Sequence, residues 1–317
     1  MGASALSAAD AATDRSVERP PVSVVVPTRN RPALLDACLA SLTAALEDGD
    51  ELIVADSAST DPDVAAVAAR YGARLVRCDR PGASVARNAG WRAASHELVA
   101  FVDDDVRVPA GWPARMAAAF AADPDLAFLT GRVELPEDQR GVARPVAITD
   151  DDRPVLIDTA AGGTVGQSAN MAARRSALER VSGFDEQLGP GGPRGAVAED
   201  VDLYDRLLAA GCRGRYEPAV EAWHVQWRDR SALLRVDWHY GLGAGFRVAK
   251  LLRIDRRRAG PVARQAFWGW GLGAVLAALR QRYASGVAYG LVRLAGMVVG
   301  LGRGLRTPVR DGHFVGR

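Results

Sequence analysis

The sequence predicts an α/β protein: a doubly wound, mostly parallel sheet followed by a C-terminal helical extension. Three observations carry that expectation. Four short apolar runs alternate with helical patterns between residues 22 and 105. Each run ends on polar or charged residues, and the charge balance reverses near residue 229.

Val22-Ser23-Val24-Val25-Val26 reads as a buried parallel strand that stops at Pro27. Asn30 is expected to cap the next helix, with Pro32 in its first turn. Leu34, Leu35, Cys38, Leu39 and Leu42 then recur at helical spacing. Leu52-Ile53-Val54-Ala55 forms a second strand ending at Asp56, and a polar loop from Ser57 to Asp61 enters a helix through Pro62. Arg74-Leu75-Val76, a helix from about Gly82 to Ser95, and the strand Leu98 to Val102 complete the alternation. Parallel strands joined this way bring their C-terminal ends to one edge, where open α/β sheets bind ligands. That edge collects Thr28-Arg29-Asn30, Asp56, Arg77 to Arg80, and Asp103-Asp104-Asp105. Three adjacent carboxylates repel one another unless a cation joins them. Mg²⁺ or Mn²⁺ suits such oxygen donors, and a solvated acidic turn is the alternative.

Beyond residue 110 a helix (Trp112 to Ala122) leads to a strand, Leu126 to Val133. Residues 135–160, rich in Pro, Asp and Arg, are expected to form a mobile loop. Gly162, Gly163 and Gly166 precede Ser168-Ala169-Asn170-Met171, whose backbone is expected to approach a ligand. Gly183-Phe184-Asp185-Glu186 opens a Gly/Pro-rich loop through Gly195. A helix from Glu199-Asp200 turns Leu203, Leu207 and Leu208 inward and ends at Gly211. Its acidic first turn also complements the helix dipole.

At 317 residues the chain can hold one large domain and an appendage. The net charge of +2 conceals 24 Lys/Arg against 34 Asp/Glu in residues 1–228, and 16 against 4 in residues 229–317. Cys38, Cys78 and Cys212 lack zinc spacing and suggest no disulfide framework, which fits a reducing compartment. The first 20 residues have no basic start followed by an apolar core, so residues 1–21 are expected as a disordered leader rather than a signal sequence.

In order and spacing the motifs resemble family 2 glycosyltransferases, which are inverting enzymes with the nucleotide-diphospho-sugar transferase fold. The matching pieces are Val22 to Asn30, Val54-Ala55-Asp56-Ser57 with Asp61, Gly82 to Gly90, Phe101 to Asp105, Gly183 to Glu186, Glu199 to Leu203 with Arg206, and His224. They make residues 22–228 the expected catalytic domain. The resemblance implies a nucleotide-sugar donor, a Mn²⁺ or Mg²⁺ cofactor and a hydroxyl acceptor. Pro27, Thr28 and Arg29 lie where the family opens onto the nucleotide. Asp56 would contact the nucleoside, unless it only caps its own loop. Arg80 or Arg87 can bind the diphosphate; Arg87 can instead pair with helix carboxylates at the surface. Asp103 would face the ribose or the metal, Asp104 the donor sugar, and Asp105 the metal directly. His224 is a candidate metal ligand or a core histidine between Trp223 and Trp227. Asp200 is the implied catalytic base, Glu199 a group that orients the acceptor, and Asp202 structural.

Two rivals are weaker. A sugar-phosphate nucleotidyltransferase usually carries a Gly-rich phosphate loop where this chain has Pro27-Thr28-Arg29-Asn30. An inactive glycan-binding scaffold has no need of Asp103, Asp105 and Asp200 together. Residues 229–317 contain Trp238, Trp268, Trp270 and Arg256-Arg257-Arg258. Their apolar stretches, Ala266 to Leu279 and Tyr283 to Val292, are cut by Arg280, Arg282 and Arg293, short of the roughly 20 residues that span a bilayer. Such helices suit an anionic membrane surface, or packing on the domain or on a second subunit. The expected location is cytoplasmic, peripheral on the inner face of the cell membrane, with a glycan or lipid-linked acceptor of the cell envelope. Nucleic-acid binding is not expected, because nothing supplies base readout.

Overall fold

A computed structural model describes residues 19–140, 147–158 and 166–316. The expected leader up to residue 18, together with Gly162 and Gly163, lies outside them. Strands β1 (Val22–Thr28), β2 (Glu51–Asp56), β3 (Arg74–Arg77) and β4 (Leu98–Val102) alternate with α1 (Pro32–Ala45), α2 (Asp63–Arg70) and α3 (Ala83–Ala93). The four strands are parallel, in the order β3-β2-β1-β4. All seven residues of β1 are buried, because helices cover both faces, which explains a run that is apolar at odd and even positions alike. One core layer joins the sheet to α1 and α2 through Leu35, Leu39, Leu42 and Val64; the other joins it to α3 through Val85 and Trp91. Thr28 pairs in register with Asp56, and Asp56 with Arg77, so the strand ends share one edge.

Asn30 does not cap α1. It takes φ 52°, and its side-chain oxygen accepts from the backbone N–H of Thr60 (2.7 Å) and Asp61 (3.1 Å), tying the first strand exit to the second. Left-handed backbone of this kind is tolerated by Asn better than by most residues.

The second half of the sheet is mixed. After β5 (Val106–Arg107) and α4 (Trp112–Ala122) come β6 (Leu126–Glu134), β7 (Val155–Ile157), β8 (Asn170–Arg174), α5 (Arg175–Arg180), α6 (Glu199–Ala209) and β9 (Arg213–His224). β8 lies antiparallel between β4 and β6, while β6 and β9 run parallel. Residues 170–174 form a central strand that was not expected, and the Asn170 side-chain amide at its start donates to the Arg132 and Val220 carbonyls and accepts from the Trp112 indole. The stretch expected as a mobile loop contains a short 3₁₀ turn (Glu137–Gln139) and β7, which pairs with β9.

The extension comprises α7 (Arg230–Ile254), α8 (Arg256–Arg264), a π-helical segment (Gln265–Gly273), α9 (Ala274–Arg280), α10 (Ala284–Arg306) and a hairpin of β10 (Val309–Arg310) and β11 (His313–Phe314). Part of its basic charge neutralises carboxylates from earlier in the chain. Lys250 sits between Asp185 (2.5 Å) and Asp202 (2.6 Å), with all three side chains about 1% exposed. Arg247 and Arg258 share Asp205 at 2.6 and 2.8 Å. The apolar stretch also does not end at Arg293, because that side chain pairs with Asp237 of α7 through Nε at 2.9 Å and lets α10 continue. α10 is long and apolar enough, by length and composition, to cross a membrane.

Candidate active site

The exits of β1 and β4 meet first. Thr28 donates its hydroxyl proton to Asp104 at 2.7 Å, and Asp104 is fully buried. Arg31, the residue before α1, lies 3.0 Å from Asp104 and 3.4 Å from Asp105. The cation that the aspartate triplet demands is therefore partly supplied by the chain itself. Asp105 is held from a second direction by the end of β9. Val106 pairs with His224 across the β5–β9 ladder, and Val225 N–H donates to the Asp105 carbonyl. This register sets His224 Nε2 3.4 Å from an Asp105 carboxylate oxygen, both side chains 3% exposed. Trp227 donates its indole N–H to Asp105 at 2.8 Å, and its ring carries Arg31 and Arg228 at 5.4 and 4.6 Å from the centroid.

The two buried aspartates divide in charge. Burial pushes the Asp104 carboxyl up to about 7, with Arg31 opposing and Asp105 adding to the rise. Burial also works against the Asp105 anion, yet the His224 hydrogen bond and charge, followed by Arg31 and Trp227, hold it well below the usual carboxylate range.

Asp103 turns the other way. Its carboxylate takes Arg87 Nη2 at 2.6 Å, and Arg87 Nη1 reaches Glu199 at 3.0 Å. Arg87 is 2% exposed and lies over the Phe184 ring, so it bridges the tip of β4 to the first residue of α6. It belongs neither to the surface nor, as it stands, to an open phosphate site. Burial pushes Glu199 up to about 7, against Arg87 and with Asp200. Asp200 is raised too, chiefly by burial. It is partly exposed and accepts from Val201 N–H at 2.7 Å and, more distantly, from Ser168 N–H at 3.5 Å.

The remaining candidates stand as follows. Asp56 is buried and accepts from Ser59 N–H (2.9 Å) and Arg77 (2.9 Å), so it closes its own loop as well as facing the shared edge. Pro27 is buried in β1 and Arg29 is exposed at its exit. Arg80 pairs with Glu186, which also accepts from Asn88 at 3.0 Å. Asp202 is structural: burial works against its anion, but Lys250 and Arg206 outweigh this and lower its pKa.

For a divalent ion, Asp105 and His224 are brought together and Asp103 is not. Among the described residues, no three His, Cys, Asp or Glu side chains converge as a ready-made cage. The pair nonetheless fits one Mn²⁺ or Mg²⁺. A charged carboxylate and an imidazole offer two protein donors, and such ions commonly take their other ligands from phosphate and water. Gln226 Nε2 lies 2.7 Å from Nδ1 of His224, so the amide donates to Nδ1 and the ring proton on Nε2 faces Asp105; ligation through Nε2 requires that proton to be displaced. Arg31, Trp227, Arg228 and Gln226 are the site residues that motif reading missed. The signal for Arg31 was its position just past a strand exit that neighbours the triplet.

Solved structures share this architecture. The mannosyltransferase PcManGT from Pyrobaculum calidifontis, in complex with GDP-Man and Mn²⁺, aligns with a TM-score of 0.60 over 90% of this chain and 88% of its own, at 23% identity. TarS of S. aureus, as a 1–349 fragment in complex with UDP-GlcNAc, gives 0.59 over 93% and 95%, at 16% identity. The fold is thus that of nucleotide-sugar glycosyltransferases, a mixed α/β sheet with C-terminal helices. The sequence profile described as "Glycosyl transferase family 2" matches residues 23–182, and the chain belongs to that family. A Mycobacterium tuberculosis protein named pre-mycofactocin glycosyltransferase is 34% identical over 227 residues, covering 68% of this chain and 44% of that protein. The chain therefore spans less than half the length of that relative.

Proposed function

We propose that this chain is a metal-dependent, inverting glycosyltransferase that moves a sugar from a nucleotide-diphosphate donor to a hydroxyl of a glycan or lipid-linked acceptor. The observation that carries the reading is the continuous chain of contacts from His224 and Asp105 through the triplet, and on through Asp103 and Arg87 to Glu199 and Asp200. Donor diphosphate and acceptor hydroxyl have to meet between two such arms.

In this reading Asp105 and His224 would hold Mn²⁺ or Mg²⁺, while Asp103 stays with Arg87 and ties the metal end of the site to α6. When bound, the ion supplies Lewis-acid neutralisation of the departing nucleoside diphosphate. Arg31 contributes fixed positive charge at the same edge, and Arg29 and Arg80 stand at the exits of β1 and β3 to reach the phosphates. Pro27, Thr28 and Asp56 shape the nucleoside end. Asp104, fully buried and held by Thr28 and Arg31, braces the tips of β1 and β4 behind the donor site. Asp200 takes the acceptor hydroxyl proton as that oxygen attacks the anomeric carbon from the face opposite the diphosphate. A raised carboxyl pKa makes it a better base than a solvated aspartate, and such a base is worth about 10²–10⁴-fold in rate. Glu199, locked by Arg87, orients the acceptor. A cell-envelope product made at the cytoplasmic face of the membrane fits this assignment.

A thermal-shift screen of nucleotide sugars with Mn²⁺ tests the reading. A donor at 100 times its Kd adds about 2.7 kcal/mol to stability by mass action. The matching donor should raise Tm in Mn²⁺ and much less in EDTA. No metal-dependent shift with any nucleotide sugar would contradict the proposal.

A further inference from the structure

α10 meets α7 through a seam of small residues, with Met297 buried beside it, and carries several bulky apolar side chains outward. Toward α7 it presents Gly296, Gly300 and Gly304. A Cβ on Gly296 would stand 2.7 Å from the Trp238 carbonyl oxygen, and one on Gly300 2.2 Å from that of Leu242. Gly241 and Gly245 of α7 are equally tight, each with a Cβ position 2.2 Å from a carbonyl oxygen of α10. The two backbones touch because side chains are missing there. The opposite face carries Ala288, Leu291, Ala295, Val298 and Leu305, in steps of three, four, three and seven residues. Leu291, Val298 and Leu305 are 52%, 60% and 48% exposed. A surface helix in water shows the reverse, with bulky apolar residues inside and polar ones outside. Small residues at the helix contact and large apolar ones outward suit a helix whose outer environment is lipid.

Two independent features agree. The preceding segments expose Trp268, Trp270, Leu276 and Leu279, and tryptophan favours the membrane–water boundary. From residue 256 to residue 306 there are nine arginines and no acidic residue. Arg280 and Arg282 precede α10 and Arg303 and Arg306 close it, and among the described residues none of these four pairs with a carboxylate.

We propose that the outer face of α9 and α10 docks on an anionic phospholipid surface, with α10 lying in the plane of the interface. Spanning would carry α7, packed along α10, into hydrocarbon together with Asp237, Arg247 and Lys250, at heavy desolvation cost. A second copy is disfavoured because a two-fold contact sets each arginine rim against its twin, whereas anionic lipid complements it. The docking goes beyond the transfer reading, since it requires no donor, metal or acceptor.

Co-sedimentation with phosphatidylcholine vesicles, with and without phosphatidylglycerol, tests it. The full chain should bind the phosphatidylglycerol vesicles more tightly and less so at high salt. Its tryptophan emission should shift to the blue and be quenched by brominated acyl chains. The triple variant Leu291→Glu, Val298→Glu, Leu305→Glu should lose at least about tenfold in affinity while its unfolding temperature stays near wild type. If that variant does not fold, Arg303→Gln with Arg306→Gln should cost about fivefold for each charge removed. Three results would overturn the proposal: a wild-type chain that ignores phosphatidylglycerol vesicles, folded variants that bind as well as wild type, or a lipid-free dimer that the triple variant turns into a monomer.

Discussion

Replacing Glu199 by Gln should stabilise the protein at pH 8 and lose that advantage in acid. The Glu199 side chain is 5% exposed, one of its oxygens has no hydrogen-bond partner, and its ion-pair partner is Arg87 at 3.0 Å. Burial lifts its pKa from 4.5 to about 7 despite that arginine. The folded state thus keeps the proton to higher pH than the unfolded chain does. The linked stability is fully present below about 4.5 and is lost as pH rises through about 7. The gap between those two values, at 1.36 kcal/mol per unit, amounts to about 3 kcal/mol at pH 8. Glutamine keeps the neutral shape and removes the conflict. For a chain of this length that is about 5 °C in Tm, shrinking to under about 1 kcal/mol at pH 5. Urea unfolding of both proteins at pH 8 and pH 5 measures it. A variant less stable than wild type at pH 8, or the same difference at both pH values, would refute the argument.

Other consequences follow from the same contacts. Asp200→Asn should cut transfer by about 10²–10⁴-fold while donor binding persists, read by calorimetry beside a transfer assay; lost donor binding in a folded variant contradicts the base assignment. Asp105→Ala should weaken Mn²⁺-dependent donor binding, and an unchanged metal titration would remove Asp105 from the ligand set. Lys250→Met leaves Asp185 and Asp202 buried without their shared cation and should cost about 3–5 kcal/mol in urea unfolding. An effect within about 0.5 kcal/mol would mean that the extension does not brace the catalytic region.

β1, β2 and β4 were legible because each is a short apolar run closed by polar residues and covered on both faces. Position of a carboxylate at a strand tip was legible for the same reason. β3 is an exposed edge strand, Leu75-Val76 between two arginines, legible from the strand–helix alternation. Partner choice was not. The triplet called for a cation, yet nothing local distinguishes an arginine from a metal, and Arg31 reaches Asp104 and Asp105 only because β1 and β4 are neighbours. Arg87 reads as a helix-surface residue until α6, 112 residues away, covers it. Asn30 fits a helix cap by type, but its left-handed backbone turns it toward Thr60 and Asp61. β8 was hidden because Asn170 at its start is polar, and its amide is satisfied by carbonyls from two other strands. Arg293 read as the end of an apolar segment, since its carboxylate, Asp237, lies 56 residues away on α7.

The central claim is that the two arms of the site act on one nucleotide-sugar donor. Release of nucleoside diphosphate from a panel of nucleotide sugars, measured with Mn²⁺ and with EDTA, tests it most directly. The account predicts metal-dependent release from one donor class by the wild-type chain and its loss in Asp105→Ala. Absence of metal-dependent release and binding with every nucleotide sugar, in a folded preparation, would contradict it.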